Sequence, residues 1–548
     1  MRRWDRETVL VAQIAACVSL FAFLFYLRHG DVLLYGDAVA HINIARRVFD
    51  SRTPGLLQLG TVWLPLPHLL MIPFVINDWM WQSGIGGSIP SLIAYVLGTV
   101  GIFRLLRGVL SLHSVPGTSI RVAAWFAAGI YAANPNLIYL QTTAMTEPLY
   151  LALFIWAAVH FSEFMQEASV ADPHQGSAAS SSLVKCGLCL AGACLTRYDG
   201  WFLAAGIGAA ALIIAIASKN EKTLRGSFVR FVVLTAAVPV LWIAYNAIVY
   251  KNPLEFSNGP YSAKGIELRI SVPGSPPHPG TRNLIEAADY FVKSAELNLA
   301  RGNWGRVWVL ALLAGTAIMI SFDPRLWPLL VLGIPLPFYM LSIAYGAVPI
   351  FIPTWWPYTR YNVRYGLELL PAFAVFAALA AYLIANCLPD AKRKAAVLMA
   401  FTVLVVGSYA FIWRDPICYQ EAWINSRTRT ALEAELASNF KKLPHDASLL
   451  MYLGDHVGSL QRAGIPLRRV INEGDHRTWK QPSDPDGLWE RALESPGDYA
   501  DYVIASEGDQ VSLHAQKQQL SAIAVIHVSG QQPVTIYWTH PSNNPLPR

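Results

Sequence analysis

The sequence predicts a mainly α-helical, polytopic membrane protein of about eleven transmembrane helices, followed by a small C-terminal α/β domain. Three observations predict it. Of 548 residues, 54% are hydrophobic and only 14% charged, against roughly 25% charged in an ordinary soluble domain. Apolar segments approaching the ~20 residues that a spanning helix needs recur through the first three quarters of the chain. From Arg414 onward the composition changes, with frequent charged residues and short β-branched runs.

The apolar segments lie near residues 8 to 27, 85 to 103, 122 to 139, 148 to 161, 186 to 195, 201 to 218, 231 to 249, 305 to 322, 326 to 346, 367 to 387 and 395 to 413. The first is read as a permanent anchor, because Leu27-Arg28-His29-Gly30 is a poor match to the small-residue pattern of a cleaved leader. The fourth and fifth are short. Ser177 to Ser182, a run of small polar residues, reads as a loop.

Lys and Arg accumulate in cytoplasmic loops. With the N-terminus inside, the inner segments 1 to 7, 104 to 121, 162 to 185, 219 to 230, 323 to 325 and 389 to 394 hold 15 Lys and Arg in 70 residues. The outer set, 28 to 84, 134 to 147, 196 to 200, 250 to 304 and 349 to 366, holds 13 in 149. An odd number of spans then leaves the tail outside. The expected setting is a bacterial-type cytoplasmic membrane, with the candidate site and the C-terminal domain extracytoplasmic.

The division expected is a membrane domain over 1 to 413 and an accessory domain over 414 to 548. Within the tail, 447 to 453, 502 to 505, 523 to 528 and 534 to 538 read as strands, and 425 to 441 as a helix with Leu432, Leu436 and Phe440 on one face. The tail carries no Gly-rich phosphate loop, Cys/His metal spacing or evident nucleophile motif. A net charge of +6 over this length is too slight to indicate nucleic-acid binding. Five of the six cysteines fall in apolar stretches, so no disulfide framework is expected.

Ionisable residues at span ends are costly and mark function. After the first span, Asp37 and His41 share one face of an amphipathic segment at i, i+4 spacing. An Asp there also serves as a helix cap. Trp63-Leu64-Pro65-Leu66-Pro67-His68 follows, a segment whose prolines interrupt a helix and which reads as re-entrant or surface-lying. Glu147 opens the fourth span, where the helix dipole also favours its charge. Arg197-Tyr198-Asp199 and Arg360-Tyr361-Asn362-Val363-Arg364-Tyr365 place guanidinium forks, suited to phosphate, beside aromatic rings. Interfacial snorkelling and an internal Arg197 to Asp199 pair are the bland alternatives. Lys264, in the long outer loop, is a further phosphate candidate.

The order of these features resembles the C-type integral-membrane glycosyltransferases, the superfamily of protein O-mannosyltransferases and the lipid A aminoarabinose transferase. The features are an acidic residue after the first span, an amphipathic helix, a Trp-Leu-Pro-Leu-Pro-His segment and a second acidic residue after the third span. The resemblance covers residues 1 to about 413 and is strongest over 30 to 150 and from Arg360 to Pro371. It implies the C-type glycosyltransferase fold, a polyprenyl-phosphate sugar as donor, a lipid, glycan or protein acceptor, and Asp37 as catalytic base. The family often has Asp-Glu where this chain has Asp37-Ala38, so Asp37 would act with His41 or Glu147. Arg197, Arg360, Arg364 and Lys264 are then candidates for the donor phosphate, and Tyr198, Tyr361, Tyr365 and His68 for contacts to substrate. No cofactor is implied; a divalent metal bridging Asp37, His41 and Glu147 stays open. Two rival readings are an enzyme like the O-antigen ligases and polymerases, using a lipid-linked oligosaccharide, and a secondary transporter. The transporter is disfavoured because charges gather on one face and the halves do not resemble each other.

Overall fold

The computed structural model describes residues 5–111, 117–168, 173–217, 221–270, 276–454, 456–475 and 486–540. The described residues of the eleven apolar segments are helical almost throughout, the third, ninth and tenth segments each being divided between two successive helical pieces. Among the described residues, nine helical segments are long and apolar enough to cross a membrane, while Ser119–Ala132 and Trp304–Ala317 are shorter apolar helices. The chain is an integral membrane protein.

Helix α1 (Arg6–His29) shows how local chemistry sets the ends. The Asp5 carboxylate accepts the Thr8 N–H at one end, and Gly30, at φ 78°, donates its own N–H back to the last turn at the other. An αL glycine of this kind closes a helix without the Cβ penalty other residues would meet. Its 24 residues rise about 36 Å, enough to span a bilayer core with tilt. Leu20 and Phe21 stand 57% and 76% exposed on its outer face, as lipid-facing residues do.

The third segment is broken where continuity was expected. Helix Gly117–Ala132 stops, and Asn134 caps a separate turn, Pro135–Leu140, with its side chain accepting the Asn136 and Leu137 N–H groups. The residue before a proline is pushed out of the helical region, and Asn134 sits at φ −66°, ψ 120°. Proline also explains the 3₁₀ turn Pro324–Gly333 ahead of Pro335–Tyr345. Ser177 to Ser182 is not a loop: it lies inside helix Pro173–Cys194. Small side chains there let helices approach, and Ser182 donates to Glu167 at 2.7 Å while Ser180 bonds Ser227.

Helix α2 (Gly36–Arg47) follows α1, and α3 (Leu66–Val75) is the short helix after the proline-rich segment. Buried polar contacts anchor α2. Arg46 pairs with Asp50 at 2.7 Å and Asp78 at 2.6 Å, and donates to the Val75 carbonyl. Asn43 donates to Gln461 of the tail at 2.7 Å and accepts from the Trp81 indole at 3.0 Å. Gly87 permits the close approach of the next long helix: a Cβ there would meet Ile42 Cγ1 at 2.4 Å.

The tail opens with helix Ile417–Phe440, which starts eight residues before the expected position because Pro416 initiates it. Among the described residues five strands follow: β1 (Leu449–Met451), β2 (Val470–Ile471), β3 (Tyr502–Ser506), β4 (Ser521–Ile526) and β5 (Val534–Trp538), in the order β2-β1-β3-β5-β4. β1 is parallel to β2 and β3; β5 is antiparallel to β3 and β4. Four strands lie where the sequence predicts them, and two-residue β2 is too short to leave a periodic signal.

Candidate active site

One stripe of α2, namely Asp37, Ala40, His41, Ile44 and Arg47, faces a cavity of about 2360 Å³. Spacings of three, four and seven residues keep side chains on one helical face, so the cavity runs along α2. Its other walls come from the Gly60–Leu64 segment, Glu147, Arg197, and the Arg360–Tyr365 region. The tail closes the remaining side with residues after β1, β2 and β3, including Tyr452, His456, Glu473 and Asp509.

At one end of α2 the cavity meets a charged network. Every guanidinium nitrogen of Arg364 donates to a different carboxylate: Nη2 to Asp37 at 2.6 Å, Nε to Glu147 at 2.9 Å and Nη1 to Glu421 at 2.8 Å. Arg197 is its counterpart, reaching Glu147 at 3.2 Å, Asp199 at 3.1 Å and Glu368 at 3.2 Å. Tyr339 donates to Glu368 at 2.7 Å, and the Tyr365 ring lies between the two guanidiniums, 4.9 and 5.0 Å from their centres. Five carboxylates thus share two cations. Four of these, Glu147, Asp199, Glu368 and Glu421, are 0 to 2% exposed, whereas the Asp37 side chain is 40% exposed to the cavity. Asp37 holds Arg364 through Oδ2, while Oδ1 has no hydrogen-bond partner among the described residues and can receive an incoming group.

His41 Nδ1 lies 2.9 Å from His68 Nε2, and its ring meets Trp63 at 4.7 Å. Burial, followed by the charges of Arg364 and Arg197, pulls its pKa down to about 3. His41 is therefore neutral near pH 7 and serves as a hydrogen-bonding group. Because protonation is resisted only in the fold, the unfolded chain binds the proton first. This contribution to stability is complete above the ordinary His value of 6.5 and is lost as pH falls toward 3. Thermal unfolding of the purified protein between pH 7 and 4 should show that loss, and His41→Gln should flatten it. An unaltered acid limb in the variant would contradict the assignment.

The sequence-predicted residues are distributed as follows. Asp37, His41, Glu147, Arg197, Tyr198, Arg360, Tyr361, Arg364 and Tyr365 all line the cavity. His68 sits behind His41, fully buried and away from the cavity. Lys264 is exposed on helix Ala263–Ile270 and does not line it. Tyr198 donates to the Thr61 carbonyl at 3.3 Å and stacks on Phe256 at 5.0 Å. Arg360 uses Nε on Gln420 at 2.8 Å, leaving its Nη pair. Sequence reasoning missed Glu368, Glu421 and Arg47, and read Asp199 only as a partner of Arg197. Among the described residues, no group of three His, Cys, Asp or Glu side chains is placed to hold a metal ion.

No family model and no curated protein matches the chain. Solved structures do. The crystal structure of ArnT from Cupriavidus metallidurans bound to undecaprenyl phosphate aligns with a TM-score of 0.58 at 15% identity, over 97% of this chain and 98% of that one. The apo form of that enzyme gives 0.56 at 16% identity, over 96% and 97%. The oligosaccharyltransferase of Archaeoglobus fulgidus, tethered with an acceptor peptide containing the NVT sequon, gives 0.52 at 10% identity, over 98% of this chain and 74% of that one. The chain therefore has the fold of the C-type membrane glycosyltransferases, as its sequence features suggested.

Proposed function

We propose that the protein is a glycosyltransferase that moves a sugar from a polyprenyl-phosphate donor to an acceptor hydroxyl within this cavity. The observation that carries the proposal is the position of Asp37. It is the solvent-facing carboxylate of a buried charge network, fixed through one oxygen and open at the other. A carboxylate so held can take the proton of a hydroxyl as the new glycosidic bond forms. Single displacement at the anomeric carbon inverts its configuration. The departing phosphate requires a cation to meet its developing charge. Arg197 and Arg364 already hold carboxylates, so their role is to position Asp37 and Glu147. The Nη pair of Arg360 takes the phosphate. Neutral His41 and the aromatic wall formed by Trp63, Tyr198 and Tyr361 contact sugar.

The active cavity is placed on the extracytoplasmic side of the membrane, from the loop charges. The tail, as its outer wall, positions the acceptor. Two experiments test these statements. Purified protein incubated with radiolabelled polyprenyl-phosphate sugars should release free polyprenyl phosphate and label a hydroxyl acceptor; a full panel giving neither product would reject the function. A single cysteine at Ser512 should react with a membrane-impermeant maleimide in intact spheroplasts. Labelling only after lysis would reverse the orientation.

A further inference from the structure

The stripe of α2 that begins with Asp37 ends with Arg47, ten residues later, so the two side chains mark opposite ends of the cavity wall about 15 Å apart along the helix. The surroundings of Arg47 differ from those of the other guanidiniums there. Arg197 and Arg364 are saturated by carboxylates, and Arg360 is held by Gln420. Among the described residues Arg47 forms no ion pair, and its Nε is buried without a hydrogen-bond partner. A buried donor left unmade is unfavourable, and most such groups in native proteins have an explanation.

The nearby groups do not supply that partner. Glu473 and Asp475 are within electrostatic reach, together with Tyr250 and Tyr261. The Glu473 oxygens accept the Leu453 and Gly454 N–H groups at 2.8 and 3.1 Å. Asp475 is taken up by the Asn472 N–H at 2.9 Å and the Thr53 hydroxyl at 3.3 Å. Burial lowers the Arg47 pKa from its ordinary value, and the two carboxylates oppose that from a distance without pairing with it at contact. What is left is an uncommitted fork whose shape suits the oxygens of a phosphate or carboxylate.

We propose that Arg47 is a second oxyanion site of the cavity, which holds a phosphate or carboxylate group of a substrate at the far end of α2 from Asp37. The donor's one phosphate, bonded to the reacting carbon beside Asp37, is assigned to Arg360, so the group at Arg47 belongs to an anionic acceptor. The inference rests on the glycosyltransferase reading for its substrates, whereas the anion site itself can be tested without turnover.

Full-length protein in lipid nanodiscs is treated with phenylglyoxal, and Arg47 modification is read by mass spectrometry with and without undecaprenyl phosphate or inorganic phosphate. Affinities for both probes are measured in wild type, Arg47→Gln and Arg47→Lys. Arg364, already bonded on every nitrogen, is the internal control. Protection of Arg47 by undecaprenyl phosphate, with about tenfold or greater loss of its affinity in Arg47→Gln, would overturn the acceptor assignment and move the donor phosphate from Arg360 to Arg47. Protection by inorganic phosphate alone, with undecaprenyl phosphate binding unchanged in the variants, assigns it to the acceptor. Lys should recover part of the loss, since it keeps charge and lacks the fork. Protection by neither probe overturns the site, and this result on wild type stands even if a variant does not fold. Wild type that is protected by phosphate yet binds no undecaprenyl phosphate would sink the donor reading and leave the anion site intact.

Discussion

Asp37→Asn abolishes sugar transfer while the protein still folds and binds donor. The amide keeps the shape of the carboxylate and an oxygen to accept Arg364 Nη2, which now lies 2.6 Å from Oδ2. It loses the basicity that removes the acceptor proton. General-base catalysis contributes typically about 10²- to 10⁴-fold, so turnover should fall by at least ~10²-fold, near 2.7 kcal/mol of transition-state stabilisation. Turnover of the purified variant above about a tenth of wild type, a loss under ~1.4 kcal/mol, would show that Asp37 is not the base.

Arg364→Ala has the largest expected effect on the fold itself. This one side chain pairs with Asp37, Glu147 and Glu421, which come from α2, from the start of helix Glu147–Ala168, and from helix Ile417–Phe440 of the tail. Removing one partner of a buried ion pair typically costs about 3–5 kcal/mol, because the charge left behind is uncompensated. The variant should purify poorly or melt far below wild type. Adding Glu421→Gln should recover part of the loss by deleting one stranded charge. Lys at 364 should rescue less, since a point charge cannot serve three carboxylates at separate angles. A melting temperature and turnover for Arg364→Ala equal to those of wild type would refute the network.

Much of this was legible in the chain. Apolar length located the membrane helices, because that signal is local. Asp37, Glu147, Arg197 and Arg364 stood out because charge is rare at span ends, and the structure brings all four into one network. Their mutual arrangement was not legible. Arg364 lies 217 residues from Glu147 and 327 from Asp37, and nothing in a linear pattern tells a phosphate-binding guanidinium from one already satisfied by distant carboxylates. Glu368 escaped notice at the edge of an apolar run, and Glu421 because it lies past Arg414, where the tail was taken to begin. Arg47 was visible beside Arg46 in a basic dipeptide. Only three dimensions separate them: Arg46 is spent on Asp50 and Asp78, while Arg47 faces the cavity. Lys264 looked equivalent to the arginines on charge alone, yet its short helix leaves it exposed.

The central claim is a single displacement in which Asp37 acts as base, and the stereochemistry of the product tests it most directly. The anomeric configuration of the transferred sugar, read by NMR from the product of a donor of known configuration, should be inverted. Retention would require a covalent sugar–enzyme intermediate and two displacements. That result would make a carboxylate of the network the nucleophile and contradict the account given for Asp37.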